Sequence, residues 1–368
     1  MRRMRVLAAG LLCAGLVACG SAGADPAPVS SSPPGSSVTS PAPSVQPASA
    51  GGTDEPGIDP SVAASADPGD PGPGAADASG APADPTGPGS ADGDQPPLPA
   101  AFDDDETMVW IPAGDHRVPG TLALPADAAG RAVPAVLLLH GDLSSRDENG
   151  DMFARLASAL AARGIASLRI DFAGTGDSEE PDLSLDYPNM VADATASLDW
   201  LRGDPTGDGA IDPGRVAILG LSRGGGIGAT VTGTVPGVAA FVSWSGAVYN
   251  GYDEDPDGHE QARENGYVPL DFGNRIFKLG LNWFDTIEAS HPLDDVVGYT
   301  GPILAVVGSD DQVVDPQVST DFLQAVASKD TTLHVVQGAD HGFTVDQQVG
   351  DEAIRVTTDW LVSRLAAD

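Results

Sequence analysis

A serine inside a glycine-flanked pentapeptide is the first indication of chemistry in this chain of 368 residues. Ser222 is the centre of G-L-S-R-G at residues 220–224, after the apolar run 216–219 and before a glycine-rich segment. On a sharp strand-to-helix turn a serine hydroxyl is exposed for attack, and glycine on both sides avoids steric clashes. The pattern indicates a nucleophile, and the alternative is an idle serine at a helix start.

Two aspartates and a histidine follow Ser222 in the chain order that such a turn requires. A serine hydroxyl needs a general base, and that base needs an acid to orient it. Asp310 and Asp311 come directly after one predicted strand, and His341 lies in the loop after the last one. Since α/β sites form at the carboxyl ends of parallel strands, we expect these loops to meet near Ser222.

The elements that must position these residues follow from an alternation of apolar runs and amphipathic segments after residue 134. This alternation predicts an α/β domain over residues 102–368 with a mostly parallel, doubly wound sheet. Glycine and proline mark the ends of several elements. We predict strands at 107–112, 117–124, 135–139, 165–170, 215–221, 238–244, 302–307 and 332–336, and helices at 152–163, 190–201, 316–327 and 353–365, with another helix after Ser222.

About fifty residues interrupt this alternation between the predicted strands 238–244 and 302–307. Loops of that length in a compact domain are usually functional or disordered, and the many aromatic residues argue against disorder. We interpret residues 245–297 as a partly helical cap over the sheet. Its aromatic residues either line a substrate pocket or only pack the cap onto the body; they are Tyr249, Tyr252, Tyr267, Phe272, Phe277, Trp283 and Phe284.

The motifs together resemble the α/β-hydrolase family, and most of all its small bacterial cinnamoyl/feruloyl-esterase and dienelactone-hydrolase-like serine esterases. The resemblance extends over most of the domain and rests on H-G at 140–141, D-F-A-G-T-G-D-S at 171–178, the serine turn, and the acid and histidine loops. It implies Ser222 as nucleophile, His341 as base and Asp311 as acid, with no cofactor. Asp310 remains the alternative acid, because one sequence does not fix a register to one residue.

The same resemblance implies an oxyanion hole made by the backbone N–H groups of Arg223 and Asp142. Both residues depart from the family pattern. An acid beside a developing oxyanion is unfavourable, although only its amide is needed. For the side chain of Arg223 the sequence leaves two interpretations: an ion-pair or surface role, or contact with a substrate carboxylate.

One acidic segment in the cap literally fits the calcium-loop pattern of an EF-hand. Its ligands would be Asp253, Asp255, Asp257 and Glu264, with glycine at position 6. Position 8 is Glu260 where an apolar residue is usual, and no clear helix pair flanks the segment. The sequence therefore favours a solvated acidic loop and no metal site.

The first hundred residues predict a targeting signal followed by a tether. Three arginines and an apolar run are followed by L-V-A-C at 16–19, which resembles a bacterial lipobox. This resemblance implies a signal peptide at 1–18 and a diacylglycerol thioether on Cys19; the alternatives are an uncleaved anchor or plain secretion. Residues 19–101 are rich in Pro, Gly, Ala, Ser and Asp, which predicts a disordered tether.

Charge and cysteine content exclude further classes of function. The net charge of −35 would repel phosphate backbones, so we expect no nucleic-acid partner. Of the two cysteines, Cys13 lies in the signal peptide and Cys19 would be lipidated, so the mature domain would have no disulfide or thiolate site. The sequence gives no indication of the oligomeric state.

The sequence thus predicts a serine hydrolase that is lipid-anchored at the extracytoplasmic face of the cell membrane and cleaves small carboxylic esters. Alternatives are a peptidase or acyltransferase of the same fold, or a catalytically silent binding lipoprotein.

Overall fold

A computed structural model describes residues 106–252, 254–273 and 275–366. The predicted signal peptide 1–18, the lipidated Cys19 and the tether up to residue 101 all lie outside these residues. Within the described ranges, none of the helices combines the length and the apolar character needed to span a bilayer.

The body is built on a sheet of eight strands. The ten strands of the described chain are β1 (Glu106–Ala113), β2 (His116–Ala123), β3 (Val133–Leu139), β4 (Ala166–Ile170), β5 (Ile211–Leu221), β6 (Phe241–Trp244), β7 (Tyr267–Asp271), β8 (Ile276–Gly280), β9 (Ile303–Gly308) and β10 (Thr331–Val336). The large sheet has the order β1-β2-β4-β3-β5-β6-β9-β10. Strand β2 pairs antiparallel with β1 and β4, and the other pairs are parallel.

Helices cover both faces of this sheet, and further helices lie in the insertion between β6 and β9. They are α1 (Met152–Ala161), α2 (Tyr187–Arg202), α3 (Arg223–Thr234), α4 (Pro256–Asn265), α5 (Leu281–Glu288), α6 (Pro292–Val296), α7 (Gln317–Ala325) and α8 (Gln347–Arg364). The fully buried strand β3 divides the core by alternation: Leu137 and Leu139 pack with α2 and α3, whereas Val136 and Leu138 pack with α1 and α8. The predicted α/β class and mostly parallel, doubly wound sheet are confirmed.

Two helices start earlier than the apolar spacing predicts. Helix α2 begins at Tyr187 because the Asp186 carboxylate accepts a hydrogen bond from the Asn189 N–H, at 2.9 Å. Helix α8 begins at Gln347 because Asp346 caps it in the same way through the Val349 N–H, also at 2.9 Å. Side-chain caps satisfy backbone N–H groups of the first turn, where no apolar periodicity is yet visible.

The insertion between β6 and β9 contains α4, the antiparallel hairpin β7–β8, α5 and α6. We call residues 245–297 the cap. The hairpin was missed by the prediction of a partly helical segment, since Pro269 in β7 is unfavourable for a central strand and is tolerated in this two-stranded sheet. The hairpin is tied to the body through Asp182, whose carboxylate accepts from the Lys278 N–H at 3.0 Å and pairs with Arg275.

Candidate active site

Ser222 occupies a strained turn between β5 and α3. Its φ of 54° and ψ of −120° lie in a region that non-glycine residues rarely adopt. Backbone hydrogen bonds hold the residue there. The Ser222 N–H donates to the Trp244 carbonyl at 2.9 Å, and the Ser222 carbonyl accepts from Gly225 and Ala247 at 2.9 Å each.

The two flanking glycines are required by close packing. A Cβ atom added to Gly220 would lie 2.0 Å from the carbonyl oxygen of Gly224. A Cβ added to Gly224 would lie 2.0 Å from the carbonyl oxygen of Leu139 in the neighbouring strand. Both separations are far inside van der Waals contact, so the turn cannot form with larger residues at either position.

His341 is oriented by Asp311 and not by Asp310. The His341 Nδ1 and the Asp311 Oδ2 are 2.9 Å apart, and the Asp311 side chain is fully buried. The other oxygen, Oδ1, accepts from the backbone N–H groups of Val313 and Val314 at 2.8 and 3.0 Å, which fixes the carboxylate. Asp310 is exposed, and its carboxylate accepts from the Ser309 hydroxyl at 2.9 Å.

The loop after β3 brings the Asp142 backbone to the same place. His140 braces this loop: its Nε2 accepts from the Phe172 N–H at 3.2 Å, so Nδ1 carries the proton and donates to the Gly141 carbonyl at 2.7 Å. Glu148 braces it from the other side, with one carboxylate oxygen accepting from the Gly141 N–H and the other from the Ser144 hydroxyl. The Glu148 brace was not predicted from the sequence.

The Arg223 side chain is buried in an ion-pair cluster. Its Nε donates to the Asp142 Oδ2 at 3.0 Å, and its NH2 group lies 2.8 Å from both carboxylate oxygens of Glu254. Burial acts to lower the pKa of Arg223, but the two carboxylates outweigh it and hold this pKa well above its ordinary value. The sequence left two interpretations of this side chain, an ion pair or contact with a substrate carboxylate, and in the structure it forms the ion pair.

Two aromatic side chains of the cap complete the cluster. The Trp283 indole N–H donates to the Asp142 Oδ1 at 3.3 Å, and the Tyr249 hydroxyl donates to the Glu254 Oε1 at 2.9 Å. Burial raises the pKa of Tyr249 well above its ordinary value, so its hydroxyl keeps the proton that it donates. The cluster therefore joins α3, the loop after β3 and the cap.

A cavity of about 370 Å³ lies beneath the cap, and Ser222, Arg223, Asp142 and His341 all line it. The structure thus brings together the five site residues predicted around Ser222, with Asp311 behind His341. Four cap aromatics line the same cavity: Tyr249, Tyr252, Phe272 and Trp283. Phe284 stacks on His259 inside the cap, with ring centroids 5.3 Å apart.

Part of the segment that fits the calcium-loop pattern forms a helix. Residues Pro256–Asn265 form helix α4, and Asp255 is its N-cap, accepting from the Gly258 N–H at 3.1 Å. Asp257 and Glu264 are seven positions apart on this helix, a rise of roughly 10 Å, so they cannot wrap one ion. Asp253 lies outside the described residues, among which no group of three or more metal-binding side chains occurs.

Comparison with known proteins agrees with this architecture. Residues 109–296, just over half of the chain, match the sequence profile of the X-Pro dipeptidyl-peptidase (S15) family. The chain belongs to the S15 family. A second profile, that of the serine aminopeptidases of family S33, matches residues 278–348 of this S15-family chain. No curated protein sequence matches it.

Several solved structures share the fold of this S15-family chain. Est1E from Butyrivibrio proteoclasticus with ferulic acid bound has a TM-score of 0.57 and 20% identity, over 70% of this chain and 100% of that one. The dienelactone hydrolase from Anabaena variabilis has a TM-score of 0.50 and 22% identity, over 71% of this chain and 98% of that one. The esterase domain of a Rhodothermus marinus protein has a TM-score of 0.53 and 20% identity. The match covers 71% of this chain and 99% of that one. The protein is an α/β hydrolase, as its motifs predicted.

Proposed function

We propose that the protein is a serine hydrolase that cleaves carboxylic esters through an acyl-enzyme intermediate. The observation that carries this proposal is the hydrogen bond of 2.9 Å between His341 and a buried Asp311, beside a cavity that Ser222 enters from a strained turn. The turn presents the serine hydroxyl to the cavity, and an oriented histidine is the general base that activates such a hydroxyl.

The roles follow from what each group can do. His341 takes the proton of the Ser222 hydroxyl, and the oxygen attacks the acyl carbon of the ester. Asp311 holds the imidazole by Nδ1 and stabilises the imidazolium that forms. The imidazolium then protonates the departing alcohol, and water hydrolyses the acyl-enzyme with His341 again as base. The amides of Arg223 and Asp142 are the proposed donors to the oxyanion.

Esters are our first choice of substrate because the cavity is lined by aromatic and aliphatic cap residues that suit an acyl or aryl group. Est1E, a neighbour with the same fold, has been solved with ferulic acid, an aromatic acid of this kind. A second candidate is an exopeptidase activity. It is favoured by the match to a family described as X-Pro dipeptidyl-peptidases and by the second match to serine aminopeptidases.

For the location, we propose a lipid anchor on Cys19 at the extracytoplasmic face of the cell membrane. The support is the sequence alone: arginines, a short apolar run, and L-V-A-C at residues 16–19. The segment 19–101 then tethers the hydrolase domain to the membrane.

The first prediction concerns the catalytic group. Ser222→Ala and His341→Ala should each lower kcat for a 4-nitrophenyl ester by roughly 10⁴-fold or more, and the double variant little further, because the residues act as a unit. Asp311→Asn should lower kcat roughly 10²–10⁴-fold. Asp310→Asn, the same change at the exposed neighbouring residue, should lower kcat about twofold at most. Near-normal turnover by Ser222→Ala would contradict the serine mechanism.

A fluorophosphonate probe separates catalysis from silent binding in the same protein. It should label wild-type protein on Ser222 and leave Ser222→Ala unlabelled. A properly folded wild-type protein that resists the probe would instead support the binding lipoprotein.

The second prediction concerns the leaving group. The wild type should hydrolyse 4-nitrophenyl esters with a kcat/KM at least about 100-fold above that for Ala-Pro-4-nitroanilide or Leu-4-nitroanilide, because 4-nitrophenol is the better leaving group and the cavity suits an apolar acyl group. Liberation of nitrophenol or nitroaniline is followed by absorbance, with Ser222→Ala as control. The opposite ratio would favour the exopeptidase.

The third prediction distinguishes two phenylalanines of the cap. Phe272 lines the cavity, whereas Phe284 is buried against His259. Phe272→Ala should change the ratio of kcat/KM between aryl and short alkyl esters with little change in Tm. Phe284→Ala should lower the stability by about 3 kcal/mol or more and leave that ratio unchanged. If both variants lose stability and neither changes the ratio, the cap is only a scaffold.

The fourth prediction uses the two cysteines of the chain as a matched pair. In bacteria, Cys19→Ser should abolish incorporation of radioactive palmitate and leave the protein unprocessed or shed, because the thioether acceptor is lost. Cys13→Ser should leave labelling unchanged, since that residue would be removed with the signal peptide. Labelling that persists in Cys19→Ser would refute the lipid anchor.

A further inference from the structure

The cavity under the cap has an unbalanced set of charges. Among the residues that the structure describes, three carboxylates line it, those of Asp142, Glu148 and Glu254, with one arginine, Arg223, and no lysine. His341 also lines the cavity, and its role as a general base requires the neutral form. The lining therefore carries more negative than positive charge.

The single arginine is already matched. Arg223 donates to Asp142 through Nε and to Glu254 through NH2, at 3.0 and 2.8 Å, and its side chain is 4% exposed. One positive charge among two negative ones leaves this group negative as a whole. A substrate carboxylate would have to displace one of these carboxylates from a buried ion pair, which is costly.

Glu148 adds a further negative charge that no arginine balances. Its two oxygens accept hydrogen bonds from the Gly141 N–H, the Ser144 hydroxyl and the Asn149 N–H. Each of these donors is neutral. A Cβ atom built on Gly141 would lie 3.2 Å from the Ser222 Cβ and 3.4 Å from the Glu148 Oε1, so this charge is close to the nucleophile.

We propose that this cavity selects its substrates by charge: it accepts uncharged and cationic esters and rejects esters that carry a carboxylate on the part that enters the cavity. The proposal rests on the esterase function proposed above and names the class of ester. The physical basis is that apolar walls, among them Phe272, Leu279 and Val314, reduce the screening of charges at these short distances.

The test compares esters that share a scaffold and differ in the charge of one para substituent, with each kcat/KM divided by the hydroxide-catalysed rate constant of the same ester. For the alcohol side, the set is 4-acetoxybenzoate, 4-acetoxybenzamide and 4-acetoxyphenyl-trimethylammonium. For the acyl side, it is monoethyl terephthalate, ethyl 4-carbamoylbenzoate and ethyl 4-(aminomethyl)benzoate. Hydrolysis is followed by pH-stat titration in 1 M NaCl, where the screening length is about 3 Å and long-range repulsion by the acidic protein is suppressed.

In at least one of the two sets, the anionic ester should have a kcat/KM at least about tenfold below that of the carboxamide, and the cationic ester should equal or exceed the carboxamide. Equal turnover of anionic and neutral esters in both sets would overturn the proposal. Rejection of the cation as strongly as the anion would overturn it too, because selection would then follow polarity and not sign.

A charge variant locates the effect in the cavity. Glu254→Gln removes one negative charge while keeping the size of the side chain, so the anionic-to-neutral ratio of kcat/KM should rise at least about threefold. Glu260→Gln on α4 makes the same change in net charge at an exposed position outside the cavity lining and should leave the ratio unchanged. An equal rise in both variants would attribute selection to the whole protein and contradict a cavity effect.

Failure of this proposal is distinguishable from failure of the esterase function. If no ester of either set is hydrolysed, the comparison is repeated as rates of Ser222 labelling by a carboxylate-bearing and a carboxamide-bearing fluorophosphonate. Equal labelling rates contradict only the charge selection. Absence of labelling by both probes contradicts the serine hydrolase itself, and with it the proposal.

Discussion

The strained turn at Ser222 is the constraint on which the rest of the site depends. A non-glycine residue at φ of 54° and ψ of −120° costs about 1–3 kcal/mol, and it persists only where the surroundings leave no alternative. Here the surroundings are β3 and β6, the strands on either side of β5. Gly224 lies against the Leu139 carbonyl of β3, and the Ser222 N–H is bonded to the end of β6. The sheet order that puts β3, β5 and β6 side by side is therefore also what exposes the serine.

A second constraint is the buried charge beside that turn. An arginine taken out of water loses its hydration, and only the two facing carboxylates make its burial tolerable. Those carboxylates come from different parts of the chain, Asp142 from the loop after β3 and Glu254 from the cap. Because both carboxylates contact the same buried guanidinium, the cluster holds the cap against the loop after β3.

The sequence sufficed for the sheet and for the centre of the site. Apolar runs in the sequence predict the strands. The turn at Ser222 can be recognised from the glycines two positions before and after it. The resemblance to a family indicated Asp311 but left Asp310 open, because adjacent residues on a loop point in different directions and the residues alone do not fix the register. The Arg223–Glu254 contact was beyond the sequence, since it forms across a cap whose placement no local pattern encodes. Asp142 looked unfavourable beside an oxyanion; its carboxylate is turned toward Arg223 and Trp283.

The hydrogen bond from the Ala247 N–H to the Ser222 carbonyl has a consequence for how such proteins diversify. It fixes the first residues of the cap to the turn of the nucleophile itself, at 2.9 Å. The chain therefore enters the cap from a residue, Ala247, whose position is fixed by the turn at Ser222. The segment between Glu254 and Trp283 can then be exchanged without displacing the serine, provided that these two residues keep their contacts with Arg223 and Asp142. The cap is in this sense an interchangeable module, and new specificities can arise there while the chemistry below is inherited unchanged.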